Sequence, residues 1–211
     1  MTNFVPIFPL SIVVFPGEQL NLHIFEPRYK QLIQECFADQ KAFGIPAVIG
    51  NAVAEYGTTV SITGIVKVYE SEEMDISVEG KEVFRVLELI RQVPEKLYSG
   101  AIVSYQENSS DGNRELMQLL VKHIRELHEF LHVQKRFHKE DLQLDAYDIA
   151  HHVGLSLEEE YEFLQLPREL QRQEYLKRHL GKLLPMLAEM EALKDKIKQN
   201  GHFRPLPGFK L

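Results

Sequence analysis

Apolar residues recur with two different periods along this chain, and the change falls near residue 110. Before it, short apolar stretches bounded by Pro and Gly predict strands. They are FVPIFPL from Phe4, LNLHIF from Leu20, AFGIPAVIG from Ala42, TTVSITGIVKVYE from Thr58, MDISVEG from Met74, EVFRVLELI from Glu82 and YSGAIVSY from Tyr98. Thr59, Ser61 and Thr63 alternate with Val60, Ile62 and Gly64, a period of two. Pro6, Pro9 and Pro16 cannot donate to a ladder, so their stretches belong at edges, bulges or strand ends. One helix interrupts the strands. Tyr29, Leu32, Ile33, Cys36 and Phe37 fall at i, i+3, i+4, i+7 and i+8, a core-facing stripe. Pro27 suits its first position and Glu26 its positive end.

After Asn113 the period becomes helical. Leu116, Leu119, Leu120, Ile124, Leu127 and Leu131 share a face, and QKRFHKEDLQL then breaks the pattern. AYDIAHHV follows as a helix with Asp145 as N-cap and Gly154 at its C-terminal end. Ser156 and Glu159 form a capping box for the next helix. Leu166-Pro167 opens a long helix running to Asn200-Gly201, and Pro185 inside it predicts a kink or a split. The expectation is an α+β protein. A small β-rich pseudo-barrel or sandwich with one helix spans 1–108, a helical bundle spans 109–200, and 201–211 reads as an extended tail.

Composition narrows the function classes. The net charge is −7; residues 1–110 carry 8 Lys+Arg against 14 Asp+Glu, and the rest 16 against 17. Neither half has the basic surplus that nucleic-acid binding needs. Nothing approaches the 18 or so apolar residues that span a membrane, and no signal-peptide pattern opens the chain. Cys36 is the single cysteine, which excludes disulfide frameworks and Cys-based zinc sites and fits a cytoplasmic location. Its place in an apolar stripe predicts a buried, inert thiol.

Three blocks near the N-terminus carry a resemblance: Phe8-Pro9-Leu10, Phe15-Pro16-Gly17, and Leu22-His23-Ile24-Phe25-Glu26-Pro27-Arg28-Tyr29. Together they resemble the opening of the Lon protease N-terminal domain, the substrate-recognition module. YGTTVSITGIV and VEGKEVFRV are similar to that family's glycine-anchored strands, and the helical half is similar to the bundle that follows them. Val83 departs from the family, which often has a basic residue there. No G-x-x-x-x-G-K-[ST] phosphate loop occurs, so ATP hydrolysis and Ser-Lys proteolysis are not expected of this polypeptide. The resemblance implies a stand-alone, non-catalytic module without cofactor. It would bind unfolded or apolar polypeptide and act as an adaptor for a separate protease. Phe15, Phe25, Arg28 and Tyr29 are the substrate-binding candidates this suggests. The bland alternative is that Phe15 and Phe25 pack a core and Arg28 is held by a carboxylate, with Glu26 a candidate. Capture would use an apolar groove where the strands meet the bundle, or pairing to a free sheet edge.

One motif points elsewhere. HEFLH at 128–132 is the H-E-x-x-H zinc-protease signature: on a helix His128 and His132 share a face, with Glu129 as general base. The alternative reading is therefore a zinc-dependent hydrolase. His138 has the spacing of a third ligand, but Lys135 stands where that class needs a turning Gly. A continuing helix would carry His138 roughly 240° round and about 9 Å along. Glu158, Glu159 and Glu160 are other ligand candidates, although as a run they suit a solvated helix start. A third reading is an oligomerising protein that uses the long C-terminal helix. The oligomeric state is left open.

Overall fold

A computed structural model describes residues 3–133, 135, 137 and 139–200. The extended tail expected at 201–211 and the ligand candidate His138 lie outside the described residues. The chain is α+β: a six-stranded antiparallel sheet followed by a helical layer.

Strand β1 (Asn3–Pro6) pairs with β6 (Gly100–Tyr105), β6 with β5 (Met74–Ile90), β5 with β4 (Ala52–Val68), and β4 with β3 (Phe43–Ile49). Immediately after β1 the chain crosses to the other end of this order. Ile7 bridges Gly44 and Leu10 bridges Ala47, both parallel to β3. One N-terminal run thus touches β6 and then β3, and the sheet wraps into a pseudo-barrel. The prolines suit this path, because Pro6 and Pro9 sit where the segment passes from one partner to the next.

Several short strands were expected between 52 and 90; two strands of 17 residues each are found. MDISVEG and EVFRVLELI are one strand. The apparent break between them is register slippage: bulges interrupt the β4–β5 ladder after Thr58, Ile62 and Ile65. Gly50 and Asn51, both at positive φ, make the tight turn joining β3 to β4.

Strand β2 (Gln19–Ile24) lies off this path and pairs only with the first half of β5, from Gln19 opposite Glu79 to Ile24 opposite Met74. Helix α1 (Pro27–Ala38) follows, with Pro27 in its first turn and Tyr29, Leu32, Ile33 and Cys36 buried. Phe37, the last residue of the expected stripe, is exposed.

Helix α2 (Arg114–Phe130) starts at the Asn113 side chain, which accepts from Leu116 N at 3.0 Å. It buries Leu116, Leu120, Ile124 and Leu127. Met117, Val121 and His128 complete that face, whereas Leu119 and Leu131 are exposed. After a 3-10 turn at Asp141–Gln143 come α3 (Ala146–Ala150) and α4 (Leu157–Leu164). Both begin with capping boxes, Asp145 with Asp148 and Ser156 with Glu159. Helix α5 (Glu169–Asn200) continues through Pro185 without a split. The carbonyl that a proline ring crowds belongs to the residue four earlier, here Gly181, which is exposed and would have nothing within 4 Å of a Cβ. Leu176, Leu180 and Leu184 pack into the core, while every described side chain from Ala188 to Ile197 is exposed.

The helical layer does not have a core to itself. Val13, Phe15, Ala47 and Val83 from the strand half belong to the same buried cluster as Leu120, Ile124, Tyr147 and Phe163. Val83 is 2% exposed and packs there, so the departure from the family's basic residue is a core contact in this chain.

Candidate functional site

The two halves meet at the turn Phe15-Pro16-Gly17. Gly17 has φ +82, open to glycine at no steric cost. The turn is tied to β5 by Gly17 N to Gly80 O at 2.9 Å and Gly80 N to Glu18 O at 2.8 Å. Gly80 must be a glycine, because a Cβ there would collide with the Phe15 carbonyl. This local geometry aims Phe15 into the helical half. The ring is 1% exposed, stacked on Tyr147 (5.4 Å between centroids), edge-on to Phe163 (5.5 Å) and 4.6 Å from the His151 ring.

His151 forms the polar counterpart of that contact. Its Nδ1 lies 2.7 Å from Glu160 Oε1 and its Nε2 3.1 Å from Glu18 Oε2. Glu18 Oε2 also accepts from Phe15 N at 2.8 Å. Burial pulls the imidazole pKa down, but hydrogen bonds to Glu160 and Glu18 and their charges outweigh it and raise it to about 9. At neutral pH His151 is therefore a cation clamped between one carboxylate from each half.

Above this clamp lies an open groove of about 530 Å³. Ile12 and Leu20 wall it from the strand half and Leu157 from the start of α4, with Glu18, His151 and Glu160 at its polar end. Another cavity of the same volume runs along α2 between Lys122, Arg125, Glu126, Glu129 and Asp141. Charges of both signs line it beside Val121, and Arg125 bridges to Asp141.

On the other side of the turn, a buried ion pair ties the segments of the helical half to one another. Arg172 Nε donates to Glu169 Oε2 at 3.0 Å. Its Nη1 donates to Leu166 O (2.8 Å) and Tyr147 OH (3.1 Å), and its Nη2 to Ser109 O (3.1 Å). Glu169 Oε1 accepts from Ala146 N at 2.8 Å and Gln173 Nε2 at 3.0 Å. Every strong hydrogen-bonding group of the pair is thus satisfied, the condition for burying charge. Burial still raises the Glu169 pKa, against the Ala146 N–H and Arg172, which lower it.

The four residues suggested by resemblance do not form one site. Phe15 is in the shared core. Tyr29 is buried in a separate cluster, stacked on Phe8 at 3.9 Å. Arg28 is exposed, 2.7 Å from Glu26 Oε2 and 4.5 Å over the Tyr29 ring. Phe25 is 58% exposed and lies flat beside His23. The groove residues Ile12, Leu20 and Leu157 carry no local signal in the sequence. Leu157 reads only as the residue after an N-cap, and Ile12 as part of an apolar run.

The HEFLH residues are not on one regular helix, although His128, Glu129 and His132 line one open cavity. Helix α2 ends at Phe130, and His132 has φ +53, outside any helix. His132 N bonds Glu129 O (3.1 Å) and Val133 N bonds His128 O (2.9 Å), a Schellman termination with His132 at the left-handed position. His128 and His132 are therefore not one helical turn apart on a continuous helix. His128 is buried against the His152 ring, its pKa lowered by burial, while His132 is exposed. Glu159 is spent on its capping box and Glu160 on His151. Among the described residues no group of three His, Cys, Asp or Glu side chains is placed to hold a metal ion.

Residues 5–198 match the family described as the ATP-dependent protease La (LON) substrate-binding domain. A solved Lon N-terminal domain protein from Xanthomonas campestris is 25% identical, with a TM-score of 0.67 over 83% of this chain and 98% of that one. The N-terminal domain of a Mycobacterium avium complex Lon protease has the same fold at 14% identity, with a TM-score of 0.61 over 86% of this chain and all of that one.

Proposed function

The chain belongs to the Lon substrate-binding domain family, and from that premise we propose that it recognises polypeptide substrates, holding exposed apolar segments in the groove between its two halves. The observation that carries this is the open groove of about 530 Å³ walled by Ile12, Leu20 and Leu157. Its volume lies in the range of ligand clefts and suits a few apolar side chains. Its polar end, Glu18–His151–Glu160, is fully paired and leaves backbone-rich chains a place to hydrogen-bond without an unpaired buried charge. The module would present its client to a separate protease and break no bond itself. A cytoplasmic setting accords with its single buried thiol.

The test is binding of a fluorescent, permanently unfolded, carboxymethylated lactalbumin. The Ile12→Lys/Leu157→Lys protein should bind at least tenfold more weakly than wild type, while Leu142→Lys, at an exposed site 74% accessible, should not. Equal binding by the wild-type and the groove-substituted protein would remove the groove as the site.

One observation favours a second surface in the same adaptor role. Past Pro185, Met186, Met190, Leu193 and Ile197 are exposed at spacings of four, three and four, the seam of a helix that packs on another helix.

A further inference from the structure

Helix α5 outruns the body it packs on. Leu176, Leu180 and Leu184 are its buried leucines, and Leu183 and Leu187 pack at the margin of the same core. Beyond them Met190, Leu193 and Ile197 are open to solvent, as is Met186, yet the chain stays helical to Asn200. A helical stretch this short draws little stability from its own hydrogen bonds and depends on packing an apolar face. Such a face is present. Leu183, Met186, Met190, Leu193 and Ile197 are spaced three, four, three and four apart. The row starts at the edge of the core and runs outward for about 16 Å from Met186 to Ile197.

The charged residues beside the row choose the occupant. At about 100° per residue, Glu189 and Lys196 stand on one flank, and Lys194 with Leu187 on the other. Glu189, Lys194 and Lys196 make no ion pair among the described residues, so their charges are open to a partner. A second copy laid antiparallel sets Met186 beside Ile197 and Met190 beside Leu193 of the other chain. It also brings Glu189 opposite Lys196 twice, once from each copy, and lays the Lys194 stem over Leu187. The acidic part of the segment, Glu189 and Glu191, thereby meets its basic part, Lys194 and Lys196. A parallel pair would bring Glu189 only to Lys194 and leave Lys196 without a partner. It would also align the two helix dipoles side by side and crowd two chains of net charge −7 at one end of the row. Residues 201–211 carry Arg204 and Lys210 and no acid, so they offer Lys194 and Lys196 no counter-charge.

We propose that residues 186–197 of α5 pair with the same residues of a second copy of this chain, as an antiparallel two-helix dimer. This rests on reading that segment as a helix-packing seam and not on recognition in the groove. The seam is shorter than a standard interface, so the dimer forms and dissociates with concentration.

Sedimentation equilibrium of the full chain tests it. The mass should rise from 24.5 kDa toward twice that value with concentration. Met190→Glu/Leu193→Glu, at two exposed positions, should stay monomeric and keep the wild-type melting temperature in dilute solution. Glu189→Lys or Lys196→Glu alone should weaken the dimer about tenfold at low salt, and the two together should restore it. Restoration by Glu189→Lys/Lys194→Glu instead would show parallel pairing and overturn the proposal. A monomer at every concentration also overturns it and leaves the seam to a helix of another protein. A dimer that survives Met190→Glu/Leu193→Glu overturns the proposal and the seam reading with it. None of these outcomes touches the groove, which lactalbumin binding scores.

Discussion

Replacing Arg172 by Met tests what holds the helical half together. The guanidinium and its partner Glu169 are 3% and 5% accessible, and Arg172 ties together three segments: the loop at Ser109, the end of α4 at Leu166 and the ring of Tyr147. Methionine fills most of the volume but donates nothing. It leaves Glu169 as a buried carboxylate without a counter-charge and the Leu166 carbonyl without its side-chain donor, while the Ser109 carbonyl keeps only Glu169 N. Breaking a buried pair from one side costs about 3–5 kcal/mol, which is a large fraction of a domain stability of roughly 5–15 kcal/mol. Urea unfolding followed by far-UV circular dichroism should register a loss of about 4 kcal/mol with an unchanged slope. The double variant Glu169→Gln/Arg172→Met removes both charges, and a Gln carbonyl can still accept from Ala146 N, so it should recover part of the loss. The pH dependence has a definite sign. Burial already raises the Glu169 pKa, and without Arg172 it rises further, so the folded variant holds a proton that the unfolded chain, near 4.5, has released. The variant's deficit relative to wild type should therefore shrink as pH falls toward 4.5. A loss below about 1 kcal/mol, or a double variant no better than the single one, would show that the pair does not hold these helical segments together.

His151 has a folded pKa raised from 6.5 to about 9, so its contribution is complete below 6.5 and is lost as pH climbs through 9. The melting temperature should fall across that interval in wild type and lose that part of its slope in His151→Gln. Gly80→Ala places a methyl group against the Phe15 carbonyl, a backbone atom that cannot rotate away, and should cost about 1–3 kcal/mol by thermal unfolding. Burial, with Glu35 nearby, pushes the Cys36 thiol up to about 11, so Ellman's reagent should react with it only after denaturant unfolds the chain. Rapid labelling of the native protein would contradict that packing.

Short-range patterns in the amino-acid sequence determined much of this molecule. The periodic stripes of α1 and α2 and the capping residues Asp145 and Ser156 are set by interactions across a few residues, so a linear reading reaches them. The same reading failed where the outcome depends on distant segments. HEFLH has the spacing of a metal motif, but the helix stops at Phe130 and turns at His132, so its histidines are not one turn apart on a helix. Phe15 reads as one more apolar residue after a strand, yet the Gly17 turn and the close approach to Gly80 send it across into the helical half. The groove joins Ile12 and Leu20 to Leu157, and the clamp joins Glu18 to His151, across more than 130 positions of chain. Local sterics and hydrogen bonds shape elements from their own residues, whereas packing brings together groups whose only relation is that folding buries them side by side.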